Sequence, residues 1–288
     1  MQTVVIIGCG DIGRRVGKLY QAKASKVIGL VKTQASAKHL KDEGFEACIH
    51  DLDGSDQLKL SGQKGATVFY FAPPPRQGTQ DSRLRTYLQA LTAQYLPKKV
   101  VLISTTAVYG DSQGEWVTEQ TQESPGTDRG RRRLDAETTV LAWSAMTGVP
   151  VVILRVPGIY GPGRLPRTRL EKGLPVLRES ESGYTNRIHA DDLAMICIAA
   201  AERGQSGQVY NVSDGRPGTM TEWFNAVADH LGLPRPPQVS FDEAKDVVSE
   251  GMLSYLKESR RISNTKMIDE LAVELMYPDL EQGIKSCD

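Results

Sequence analysis

Gly8, Gly10 and Gly13 fall in the stretch VVIIGCGDIGRRVGKLY, spaced G-x-G-x-x-G between an apolar run and a helical pattern. This spacing suits phosphate binding. The first glycine permits a tight turn, the second lets backbone approach a pyrophosphate, and the third allows close helix–strand packing. The helix start, through Asp11, Ile12 and Gly13, supplies free N–H groups and the positive end of a dipole. The expected ligand is a dinucleotide. An NAD site of this kind usually has an acid about 20 residues on, for the ribose 2′-hydroxyl. Here the second apolar run ends in GLVKTQAS, which offers Lys32 and no acid, and Arg14 follows the last loop glycine. Cations at those places suit a 2′-phosphate, so NADP is expected over NAD. Cys9, inside the loop, reads as a small filler more readily than as a redox group.

A second stretch, TDRGRRRLDAE, holds Arg129, Arg131, Arg132 and Arg133 at the start of a helical pattern. A guanidinium stays protonated near neutrality and cannot serve as a base. It can stabilise a developing alkoxide, or grip a carboxylate or phosphate with a bidentate fork. Arg131 and Arg132 read as a solvated face. The basic run is short and lacks interleaved aromatics, which argues against nucleic-acid binding. The 288-residue chain has zero formal net charge, so no global field favours a polyanion.

Elements that could hold these residues follow from periodicity. Nearly continuous apolar runs at 3–8, 26–31, 46–51, 66–72, 98–105 and 150–156 read as strands buried on both faces. Helical patterns near 12–23, 34–43, 80–95 and 130–147 alternate with them. This alternation predicts an α/β fold, a Rossmann-type doubly wound parallel sheet with a smaller C-terminal lobe. Residues 1–156 plus 190–214 are assigned to the dinucleotide-binding domain. Residues 157–189 plus 215–288 are assigned to a discontinuous substrate lobe. No apolar run reaches the length of a membrane span, and MQTVVIIGCGDIG reads as a first strand, not a leader. Four cysteines without a CxxC pair fit a reducing cytoplasm.

The order of six pieces then resembles the extended short-chain dehydrogenase/reductase superfamily, in its NAD-dependent epimerase/dehydratase branch. They are the glycine loop, HDL at 50–52, ISTTAVYGD at 103–111, ILRVPGIYGPGR at 153–164, NRIHADDLA at 186–194 and VYNVSDGRP at 209–217. The resemblance implies that Asp51 and Leu52 border the adenine, and that Ala72 and Pro73 lie toward the ribose and nicotinamide. It places Pro157 near the nicotinamide and makes Thr105 the catalytic hydroxyl. The family's Tyr-x-x-x-Lys pair would fall on Arg129 and Arg133. With that pair replaced, the expected function is dinucleotide binding or sensing with weak or no redox chemistry. The alternative is an oxidoreductase or epimerase acting on a sugar nucleotide or small carbonyl compound through an unusual acid. Tyr109, Tyr160, Tyr184 and Asp128 are the candidate substitutes. Partners are expected to be a small-molecule substrate or dinucleotide, with no membrane. A homodimer is possible through helices 80–95 and 130–147, the first carrying Leu84, Leu88, Leu91 and Tyr95 at helical spacing.

Overall fold

The computed structural model describes residues 2–54, 58, 62–248 and 250–287. Its centre is a seven-stranded, wholly parallel sheet. Five strands come first in the chain: β1 (Thr3–Ile7), β2 (Lys26–Val31), β3 (Glu46–Ile49), β4 (Thr67–Tyr70) and β5 (Lys99–Thr105). Strands Val151–Val156 and Val209–Asn211 extend the sheet beyond β5, while β2 and β3 lie on the other side of β1. The order reverses between β1 and β4, so a crevice opens at their carboxyl ends. Ligands bind at such a switch point in open α/β sheets.

Side-chain alternation explains why these runs are mostly apolar. Val4 and Ile6 face one core with α1 (Asp11–Ala22), α2 (Gln34–Asp42) and the helix Ala190–Arg203. Val5 and Ile7 face the opposite core with α3 (Ser82–Gln89) and α4 (Asp128–Thr147). A period of two with both faces covered leaves few polar positions, and the buried ones, Thr67, Ser104 and Arg155, sit at or near strand ends. α3 is shorter than the sequence pattern suggests. Asp81 caps its start by accepting from the Leu84 N–H, and after Gln89 the chain breaks into a separate 3-10 turn at Ala93–Tyr95. Leu84, Leu88 and Leu91 are buried against the chain's own sheet, so that stripe is consumed internally and only Tyr95 is exposed.

The remaining segments form a third core of Tyr160, Leu170, Val176, Trp223, Phe224, Val227, Ala228 and Ile284. Short two-stranded pairings stitch it to the sheet end, among them Arg187–His189 beside Gly158–Tyr160 and Arg261–Ile262 beside Trp116–Val117. Among the described residues no helix is long and apolar enough to cross a membrane.

Candidate functional site

The glycine loop joins β1 to α1 at the switch point. Gly8 has φ +81°, and a Cβ there would lie 2.5 Å from the Ala72 backbone nitrogen. The loop therefore packs directly on the chain leaving β4, which ends at Tyr70, so that Ala72 and Pro73 lie just past the strand. A Cβ on Gly13 would meet Ile6 Cγ2 at 2.9 Å, which is how α1 comes close to β1. Gly10 has nothing within 4 Å of its would-be Cβ. No side chain caps α1, which leaves its first N–H groups without a side-chain acceptor. These features fit a pyrophosphate. Ile12 is buried beneath the loop, and Asp11 is drawn aside by Arg15 at 3.1 Å and Arg164 at 2.6 Å. The two guanidiniums outweigh partial burial and hold the Asp11 carboxyl below its ordinary range. Burial pushes the Cys9 thiol up to about 12, so it stays a neutral filler.

The cations singled out for a 2′-phosphate are already engaged. Lys32 Nζ is 2.9 Å from Asp51 Oδ2 and 3.7 Å from Asp53 Oδ2. Asp53 is also held by both ends of the Arg83 fork, at 2.7 and 2.5 Å, and Arg83 donates to the Pro73 carbonyl at 2.8 Å. Arg14 contacts His39 and lies 3.2 Å from Glu43. Both acids that neutralise Lys32 come from the chain after β3, on either side of the buried Leu52.

Thr105 ends β5 and starts the 3-10 turn Thr106–Tyr109, its hydroxyl accepting from the Ala107 N–H at 3.3 Å. It lines a cavity of about 220 Å³ together with Pro157, Tyr160, Tyr184, Arg187, Trp223, Tyr255 and others. α4 packs its first turn against this 3-10 turn. A Cβ on Gly130 would sit 2.7 Å from the Ala107 carbonyl oxygen, which accounts for the glycine inside the arginine run. Arg129 and Arg133 are one helical turn apart and do different things. Arg129 stacks its guanidinium 4.2 Å from the centre of the Tyr255 ring, on the cavity wall. Arg133 donates to the Ile103 carbonyl at 3.0 Å, and burial draws its pKa down while Asp81 opposes the shift. Arg131 pairs with Asp128 at 2.7 Å on the surface, whereas Arg132 is buried and donates to the Gly78 carbonyl at 2.5 Å, contrary to its reading as a solvated side chain.

Of the substitute acids, Tyr109 is buried and donates to Asn211 Oδ1 at 2.8 Å, and Asp128 is taken by Arg131. Tyr160 and Tyr184 line the cavity; burial pushes the Tyr160 phenol far up. His189 caps the helix Ala190–Arg203 and stacks on Tyr277 at 3.9 Å. The sequence reading assigned no role to Tyr255, Arg187, Trp223, Glu258 or Arg260. Arg187 lay within a quoted motif, but nothing in the spacing of the others tied them to Thr105.

A sequence description of the NAD dependent epimerase/dehydratase family matches residues 4–213, and the chain belongs to that family. It is 28% identical to Protein YeeZ of Escherichia coli (strain K12), over 97% of both chains. A structure from Silicibacter pomeroyi, titled as a functionally unknown conserved protein, superposes with TM-score 0.85 at 30% identity, covering 99% of this chain and 97% of that one. The UDP-glucuronic acid 4-epimerase from Bacillus cereus in complex with NAD shares the fold, with TM-score 0.78 at 18% identity and coverage of 99% and 97%. The dTDP-glucose 4,6-dehydratase from Bacillus anthracis in complex with NAD does so at TM-score 0.76 and 19% identity, covering 99% and 95%. NAD in these relatives, with Lys32 neutralised by Asp51 and Asp53, overturns the expectation of NADP.

Proposed function

We propose that the protein is an NAD-dependent oxidoreductase or epimerase acting on a small carbonyl or alcohol compound. NAD, when bound, supplies a hydride acceptor or donor. Gly8, Gly10, Gly13 and the start of α1 would hold its pyrophosphate, Asp51 and Leu52 its adenosine end, and Ala72, Pro73 and Pro157 the segment toward the nicotinamide. Residues 1–156 plus 190–214 would then carry the cofactor, and 157–189 plus 215–288 the substrate.

The observation that carries this reading is the cavity beside Thr105, which spans both parts. A module that only senses a dinucleotide has no use for a second, substrate-sized space continuous with a hydroxyl at the sheet end. The earlier preference for sensing rested on the missing Tyr-x-x-x-Lys pair alone. Thr105, Tyr184 and Tyr255 are among the residues that bring hydroxyls to this cavity; Thr105 can hydrogen-bond a substrate oxygen, and a tyrosine can move its proton. Arg129 and Arg133 act as fixed positive charge and as anchors for Tyr255 and β5.

The test is calorimetry with NAD, followed by absorbance of the reduced nicotinamide during incubation with small alcohols and carbonyl compounds. NAD binding and a turnover that falls in Thr105→Val are the expected results. Absence of NAD binding at millimolar concentration overturns the reading.

A further inference from the structure

Arg187 is a charged side chain in the cavity wall with no acid to pair with. Nη1 donates to Thr185 Oγ1 at 2.9 Å, Nη2 has only the thioether of Met220 at 3.9 Å, and Cζ lies 4.6 Å from the centre of the Trp223 ring. Among the described residues no carboxylate comes within ion-pair distance of it. The other cations of the cavity are neutralised. Arg260 lies 2.8 Å from Glu258, and Arg164 lies 2.6 Å from Asp11. Among the residues that line the cavity, Arg187 is therefore the cation without a carboxylate, while Arg129 sits behind the Tyr255 ring. Asp214 acts on Arg187 from a distance and is itself buried. Arg187 is half-buried in the wall, and a guanidinium there with no carboxylate beside it favours an anion that can supply one.

We propose that the substrate is a small monoanionic carboxylate, its carboxyl group held by the Arg187 fork and its body lying against Trp223, Tyr184 and Tyr255. This rests on the function proposed above and narrows its substrate class. A planar guanidinium whose Nη1 and Nη2 meet only a hydroxyl and a thioether can offer a carboxylate two parallel hydrogen bonds. One unpaired guanidinium in the lining, with the Glu258 carboxylate in the same wall, disfavours a dianionic phosphate. The cavity of about 220 Å³ is smaller than a typical pocket for a drug-sized ligand, about 300–1,000 Å³. It suits a one-ring or short-chain acid and not a sugar nucleotide. The aromatic rings in its lining suit a flat or apolar body.

The probes are benzoate, benzamide, phenyl phosphate and UDP-glucose, titrated by ligand-observed NMR into the full-length protein with NAD present. Benzoate is expected to bind at least tenfold more tightly than benzamide, its uncharged counterpart, and more tightly than the other two. Arg187→Met should erase the benzoate preference. The ratio in the unaltered protein decides the question even if that variant does not fold. Equal affinities for benzoate and benzamide, or no benzoate binding at millimolar concentration, overturn the inference. Tighter phenyl phosphate overturns the choice of carboxylate, and tighter UDP-glucose overturns the small-acid class. NAD is titrated into the same sample. Failure of NAD to bind counts against the proposed function, whereas NAD binding without benzoate discrimination counts against this inference alone.

Discussion

Arg155 and Glu137 form a buried ion pair that fastens α4 to the sheet. Arg155 Nη2 lies 2.7 Å from Glu137 Oε2 and Nε lies 3.2 Å from both carboxylate oxygens, with each side chain 3% exposed. Ser104 donates to the same carboxylate, and Glu123 takes the outer side of Arg155. Ser104 precedes Thr105 and Glu137 lies one turn beyond Arg133, so the pair sets the spacing between β5 and the arginine-bearing helix.

Breaking this pair should be expensive. Glu137→Leu leaves Arg155 with Glu123 alone and strands the Ser104 hydroxyl. A loss of about 3 kcal/mol is expected in denaturant unfolding, the lower end for a half-removed buried pair because one acid remains. Glu137→Leu with Arg155→Met should lose less than the sum of the two single changes. Additive losses would mean that the pair is not coupled.

The loop glycines should separate stability from binding. Gly8→Ala forces a side chain into φ +81° and against Ala72, so a loss on the order of 2 kcal/mol is expected. A Cβ at position 10 has no protein atom within 4 Å, so Gly10→Val should leave the thermal midpoint within a few degrees, while NAD affinity falls at least tenfold. A Gly10→Val protein that binds NAD normally would remove the loop from the cofactor site.

Lys32 should contribute little to cofactor choice. It is an exposed lysine shared between Asp51 and Asp53, a geometry worth about 0–1 kcal/mol. Lys32→Ala should change the dissociation constants of NADH and NADPH by similar, small factors. A large loss confined to NADPH in calorimetry would put Lys32 on a 2′-phosphate after all.

Proton transfer should belong to hydroxyls. If Tyr255 is the acid, Tyr255→Phe keeps the ring under Arg129 and should lower kcat by about 10²–10⁴. Thr105→Val should lower kcat as well. Full activity in both variants with loss in Arg129→Ala would assign the decisive role to the guanidinium.

Asp214 should give the fold a pH signature. Burial pushes its carboxyl from 3.8 to about 6, with the Arg216 N–H and the Arg187 charge only partly opposing. The folded state therefore holds a proton that the unfolded chain releases near pH 4. Stability from this group is greatest below pH 4, falls as pH rises toward about 6, and is flat above, a change on the order of 3 kcal/mol. Asp214→Asn should remove that slope. Unfolding free energies measured from pH 4 to pH 7 would show it, and an unchanged slope would count against a raised Asp214.

Much of the frame was readable in sequence because it is periodic. The strand runs are apolar on both faces, and the glycine loop has a spacing tied to one backbone geometry. The cavity was not readable for the opposite reason. Tyr255 meets Arg129 across more than a hundred residues through a ring–cation contact that leaves no spacing behind. Lys32 looked free because Asp51 and Asp53 come alongside it only when β2 and β3 pair. Arg132 looked solvated because helix position alone does not reveal the Gly78 carbonyl waiting on a neighbouring loop. The α3 stripe was correctly apolar, but its burial had to be decided between the chain's own sheet and a second copy, which periodicity cannot do.

The far wall of the cavity, Tyr255, Glu258 and Arg260, comes from near the end of the chain, whereas the last strand of the sheet closes at Asn211. A growing chain emerging from the ribosome thus has every strand of its parallel sheet before the cavity is walled. The sheet's own core is still open at that point, because Met267 and Leu271 close the face shared with the helix Ala190–Arg203, so one late segment completes both the platform and the cavity.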